Sequence, residues 1–336
     1  MKRLTALITI LLAMTPARVG GAQTPALAFA PPPVINNSNF YQKILIEKAL
    51  ECLPEANPFG KRIGVQSRFQ YGVPYFFGGR NPDKILASMD GWEKHKYYTK
   101  GSSFLGGFDC AGYICWVYQF VGIDVPSINI MLSGRIPHGE FIDVKDVPMD
   151  ELHMALEVGD LIAEEHAGEK HVMMMIGTLR GFGFVQYPSE MLDRPLVAHC
   201  TSVLGNDYYL NYLAYIRENK LKCKPPAGGC VVSILGEPEE APESVRLKAW
   251  QTSRRFGTMY IKAQEESGSE VYELTYYSWS KWEKGRVVWR PNPDSWHNEG
   301  RSRIWAYPGE ESMPDLPPKG SYGNISIEPS LAGPWQ

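Results

Sequence analysis

Five consecutive apolar residues, Val172-Met-Met-Met-Ile176, constrain this chain more than any other feature. A strand turns alternate side chains to opposite faces, so a run that is apolar at every position is buried on both sides. It reads as a central sheet strand with His171 at its start. The three methionines are packing groups, not a metal site. Further strand-like runs fall at 159–163, 183–187 and 196–202, divided by Gly, Pro and charged turns.

Helical signals precede and follow these strands. Residues 40–53 carry Tyr41, Ile44, Ile46, Ala49 and Leu53 at spacings that suit one buried face, and Pro54, Pro58 and Gly60 end the run. A second helix is expected over 61–71 and another over 206–219. The firmest helix runs from 110 to 121, with Asp109 as N-cap and Gly122 as stop. Between them, 80–107 reads as a long, polar surface stretch.

The two ends differ from this middle. Lys2 and Arg3 precede an apolar run over 4–14, followed by Pro16, Gly20, Gly21 and Ala22; this has the form of a signal peptide over 1–22 and implies a secreted or periplasmic protein. A Pro- and Ala-rich flexible leader follows at 23–37. The body is expected over 38–235, then an acidic Pro-bearing linker, a β-rich accessory region over 243–307 and an irregular tail over 308–336. Tyr272, Tyr276, Tyr277, Trp279, Trp282 and Trp289 stud the accessory region and read as core, with Trp279 and Trp282 the best placed for exposure. The net charge of −3 at pH 7 calls for neither nucleic acid nor an anionic membrane, and no later segment is long and apolar enough for a membrane span.

Six cysteines are present, with no pair at metal-site spacing, so no metal or other cofactor is expected. Cys223 and Cys230 flank a turn-rich segment and would close a small disulfide loop, although sequence leaves connectivity open. Cys115 reads as core, and Cys200, facing opposite to His199 along a strand, as core or a disulfide partner. Cys110 differs, because it stands at a helix start. There the unpaired backbone N–H groups and the helix dipole favour a thiolate and can hold an oxyanion. Gly112 would leave room for a substrate backbone. A nucleophile needs a base and the base an orienting partner: His171 heads the buried strand, and His199 lies in a strand able to pair beside it.

In order along the chain stand Tyr75-Phe-Phe-Gly-Gly79, Phe108-Asp-Cys-Ala-Gly112, Val158-Gly-Asp-Leu161, His171-Val-Met-Met-Met-Ile-Gly177 and Ala198-His-Cys-Thr201. Together they resemble the ordered motifs of NlpC/P60 cysteine peptidases, over about residues 40–205. The resemblance implies an α+β, papain-like fold with the nucleophile helix packed on an antiparallel sheet that carries the base. It implies Cys110 as nucleophile, His171 as base and a third polar residue, His199 or, in an intervening strand, Gln186. Tyr75 would line the site and polarise the substrate carbonyl, and Asp109 would meet the amine of a stem peptide. The implied activity is hydrolysis of amide bonds in peptidoglycan stem peptides through a thioester, with peptidoglycan or muropeptides as partner. Amidases and acyltransferases share the fold, and a non-catalytic cell-wall-binding protein is the alternative of another class. Ala111 departs from the usual serine, and the long stretch at 80–107 would form a lid or wall.

Overall fold

The computed structural model of the 336-residue chain describes residues 40–83, 85–88, 101–123, 125–134, 139–166, 168–184, 187, 189–202, 206–226, 228–236, 247–252, 258–263, 272–277 and 285–292. The expected signal peptide, leader and tail lie outside them, as do Gln186, Trp279 and Trp282.

The first part of the chain gives α1 (Phe40–Glu51), α2 (Pro58–Ile63), β1 (Leu86–Ser88), β2 (Ser103–Leu105) and α3 (Cys110–Gln119). The middle gives α4 (Ile128–Leu132), β3 (Gly139–Ile142), α5 (Leu152–Ala155), β4 (Leu161–His166), β5 (Glu169–Thr178), α6 (Ser189–Leu192), β6 (Pro195–Thr201), α7 (Asn206–Glu218) and β7 (Gly229–Leu235). Last come β8 (Leu247–Thr252), β9 (Thr258–Ala263), β10 (Tyr272–Tyr277) and β11 (Val287–Pro291). The architecture is mixed, with helices set against a mostly antiparallel sheet. Nine of the described strands form one sheet in the order β3-β11-β4-β5-β6-β7-β10-β9-β8, while β1 and β2 pair separately. Within the large sheet only β10 and β7 run parallel.

The apolar run of β5 lies at the centre and is buried on both faces, as its composition requires. Val172, Met174 and Ile176 join the core beneath α1 and α3. Met173 and Met175 point the other way, into a second cluster with Leu152, Leu156, Ile162 and Val197. Helix α3 lies against β5 and β6. It is buried nearly all round, with Tyr113, Ile114, Val117 and Tyr118 each at most 1 % exposed. Tyr113 and Tyr118 tie it down by donating to the carbonyls of Ala49 and Gly159.

Several elements depart from the sequence expectations, each for a local reason. Helix α2 starts three residues earlier than expected and ends at Ile63, because Asn57 caps Phe59 and Gly64 adopts a left-handed φ of 76°. The described part of 183–187 is not strand: Gly183 has φ 76°, and Arg62 takes the carbonyls of Phe182 and Gly183 that a ladder would need. The stretch at 80–107 contributes the β1–β2 pair. The strands of the accessory region join the main sheet: β10 pairs with β7, and β11 inserts between β3 and β4. Their aromatics Tyr276, Tyr277 and Trp289 are buried.

The cysteine framework also differs. All six cysteines are free thiols, so the expected Cys223–Cys230 loop is not closed. Residue 230 falls inside β7, where it faces Cys200 across the ladder and not Cys223. Among the described residues no helix is long and apolar enough to cross a membrane, and no group of three or more His, Cys, Asp or Glu side chains could hold a metal ion.

Candidate active site

Asp109 builds the start of α3. Its carboxylate accepts the Gly112 amide at 2.6 Å and the Gly78 amide at 3.0 Å. One side chain therefore both caps the helix and clamps the 75–79 turn onto it. This is a different task from the substrate contact expected of Asp109. It also alters the expectation for the oxyanion, because the cap consumes the Gly112 amide. The Cys110 amide is not taken by the carboxylate. Nor is there substrate room at Gly112: a Cβ there would overlap the Gly79 carbonyl, so the glycine permits close backbone approach within the protein. Tyr75 is carried by the same clamped turn, bridged to Phe108 with its amide donating to the Gly228 carbonyl at 2.7 Å.

The sheet supplies the imidazoles. His171 on β5 and His199 on β6 are buried, and His171 Nε2 lies 2.9 Å from His199 Nδ1. The chain continues from His199 Nε2 to the Ser233 hydroxyl on β7 at 2.7 Å. Two neutral rings can satisfy both bonds in only two ways. If Ser233 accepts from His199 Nε2, then His199 Nδ1 accepts from His171 Nε2 and His171 Nδ1 is left as a proton acceptor. If Ser233 donates, every bond reverses and Nδ1 carries the proton.

Cys110 stands near this group: the amide of Val172, next to His171, acts on the Cys110 sulfur and favours its charged form. Among the described residues no hydrogen bond joins that sulfur to the His171 ring. The alternation of β5 explains why: Val172 faces α3, so His171 shares the other face with Met173. Cys110 and the histidine pair therefore lie towards opposite faces of β5, whose third residue is His171.

Burial governs the electrostatics. It raises the Cys110 thiol above its ordinary value, with the nearby Asp109 carboxylate adding to the rise and the Val172 amide opposing it. The expected lowering by the helix start is thus overridden. Burial also pushes His171 down to about 3 and lowers His199, on which His171 acts further. Thiol and imidazoles are all neutral near pH 7.

Four flanking residues escaped the sequence reading. Ser233 ends the histidine chain. Tyr277 on β10 stacks on His171 with ring centroids 5.5 Å apart and 16° between planes, and meets His199 edge-on at 5.4 Å. Glu164, directly opposite His171 in the β4–β5 ladder, accepts from Arg286 Nε at 2.7 Å and stands beside the Tyr277 hydroxyl. Burial pushes this carboxyl up to about 7 against the pull of Arg286. A signal was available for one of them, since Ser233 is a polar residue inside an otherwise apolar strand sequence, whereas Glu164 opens the polar half of β4. Tyr277 and Arg286 gave none, being brought in by strand insertion from a distant segment. Gln186, the competing third residue, lies outside the described residues. No family model, curated protein or solved structure matches this chain.

Proposed function

We propose that this chain is a papain-like cysteine hydrolase of the NlpC/P60 kind, exported from the cell, that cleaves amide bonds in peptidoglycan stem peptides. The observation that carries the reading is the polar chain Ser233–His199–His171, which ends one residue before Val172, whose amide acts on the sulfur of Cys110. A buried series of this type is costly unless satisfied, and here it ends beside a thiol at a capped helix start.

In the productive tautomer Ser233 accepts, and His171 Nδ1 acts as base. A movement of the His171 side chain out of its stack on Tyr277 brings Nδ1 to the thiol as substrate enters. The Cys110 sulfur forms a bond to the substrate carbonyl carbon while His171 receives the thiol proton. The oxyanion is met by the Cys110 amide and the Tyr75 hydroxyl. Collapse breaks the C–N bond, His171 returns its proton to the leaving amine, and a thioester remains. Water, deprotonated by His171, attacks the thioester carbonyl; the C–S bond breaks and the Cys110 thiol is restored. His199 is the third residue, holding the His171 ring in its tautomer.

The raised thiol of Cys110, a residue that is itself half-buried, favours a second reading, a non-catalytic cell-wall-binding scaffold with an inert thiol. Incubation with purified muropeptides, followed by mass spectrometry, separates the two. The hydrolase reading requires new amine and carboxyl termini in the products from the wild type and none from Cys110→Ala. Equal absence of cleavage by both, with Cys110 refractory to iodoacetamide in the presence of muropeptide, would establish the scaffold.

A further inference from the structure

Cys200 and Cys230 occupy directly opposed positions in the antiparallel β6–β7 ladder. Opposed residues in such a ladder have Cα atoms about 4.5–5.5 Å apart, inside the range of about 4.4–6.8 Å that a disulfide spans. Both side chains turn to the same face, into the core beneath α3, and are 0 % and 1 % exposed. Their thiols stand close enough to act on each other's charge, and Cys200 donates to the Phe108 carbonyl at 3.3 Å.

From this placement we infer that Cys200 and Cys230 form the redox pair of this chain, closing a cross-strand disulfide when a thiol–disulfide oxidant is offered. Two other thiols stand near enough to feel the same charges, Cys52 and Cys110. Neither has a ladder partner among these cysteines, since Cys52 follows α1 and Cys110 begins α3. The pairing therefore spares the proposed nucleophile, and it stands whether or not the chain is a hydrolase.

The chemistry is exchange with a small disulfide such as oxidised glutathione. One of the two thiols loses its proton to water during a local opening, and its sulfur attacks the glutathione disulfide. That S–S bond breaks, one glutathione leaves as thiolate and takes up a proton, and a mixed disulfide remains. The second cysteine then gives up its proton and displaces the other glutathione. Two protein thiols are oxidised and one glutathione disulfide is reduced to two thiols. Because both sulfurs are buried, the rate is set by opening of the β6–β7 ladder.

The test uses the full, reduced, folded chain held with oxidised glutathione in urea below the unfolding transition. It is then quenched in acid, unfolded, alkylated with iodoacetamide, digested without reductant and mapped by mass spectrometry. The expected product is one linked peptide pair containing Cys200 and Cys230, lighter than the two thiol peptides by two hydrogens, with the remaining cysteines alkylated or glutathione-capped. A Cys110–Cys200 or Cys52–Cys230 link overturns the inference. So does a Cys223–Cys230 link, or recovery of Cys200 and Cys230 as alkylated or glutathione-capped residues after the other thiols have reacted.

Discussion

Replacing His171 by glutamine should change how stability depends on pH, by an amount the site itself sets. In the folded chain burial pushes His171 down to about 3 from an ordinary value of 6.5. A base held lower in the folded than in the unfolded state contributes stability that is whole above 6.5 and is lost as the pH falls through the interval to 3. Within that interval each pH step of one is worth about 1.4 kcal/mol, so acidification from pH 6.5 to 4.5 costs roughly 2 kcal/mol through His171 alone. Glu164, opposite it in the ladder, has the reverse sign. Its value rises from 4.5 to about 7 on folding, so its contribution is whole below 4.5 and is lost as the pH rises towards 7. Over the same range it gains roughly 2 kcal/mol on acidification, which leaves the wild type nearly flat in these two groups. The other ionisable neighbours of His171 are His199, Tyr277, Cys110 and Arg286, all kept in the variant. Glutamine retains an amide that can reach His199 Nδ1 and carries no titration. Urea unfolding followed by tryptophan fluorescence from pH 4.5 to 7.5 should therefore show His171→Gln gaining on the wild type by roughly 2 kcal/mol between pH 6.5 and 4.5. Parallel curves for the two proteins would refute the claim that a buried, neutral His171 is part of the folded state.

The Glu164–Arg286 pair is deeply buried, with side chains 0 % and 9 % exposed. Arg286→Met should cost about 3–5 kcal/mol at pH 8, where Glu164 is charged, and much less at pH 5, where the carboxyl takes a proton; an equal loss at both, measured by urea unfolding, would contradict this. Gly112→Ala should yield little folded protein, because its Cβ would overlap the backbone of Gly79 and break the Asp109 clamp; a soluble variant with the wild-type far-ultraviolet circular dichroism spectrum would disprove that packing.

Much of the fold was legible in the sequence where local signals were strong. The N-cap at Asp109, the doubly apolar run of β5 and the helix at 206–218 lie within a few residues of where periodicity and capping put them. The strand β7 was hidden, since its first residues follow a Pro- and Gly-rich turn that suggested a disulfide loop. Within the candidate site, the positions of the Cys110 thiol and the imidazoles follow from short motifs. The polar partners do not, because Glu164, Ser233 and Tyr277 reach the histidines through ladder pairings far apart in sequence. The ionisation of Cys110 departs from expectation for a related reason. A helix start lowers a thiol only while water or a cation shares the work, and here burial and Asp109 outweigh it.

The insertion of β11 between β3 and β4, and the placing of β10 beside β7, bear on how the molecule is made. During synthesis β4 and β7 emerge well before the partners that flank them, so two rows of unsatisfied backbone groups await the last third of the chain. Tyr277 reaches His171 only at that final stage, and the imidazole pair is exposed until then. A nascent chain stopped at residue 236 would keep its helices and central strands but offer two sticky borders to its neighbours, and folding of the whole should be slow because its closing contacts are so distant.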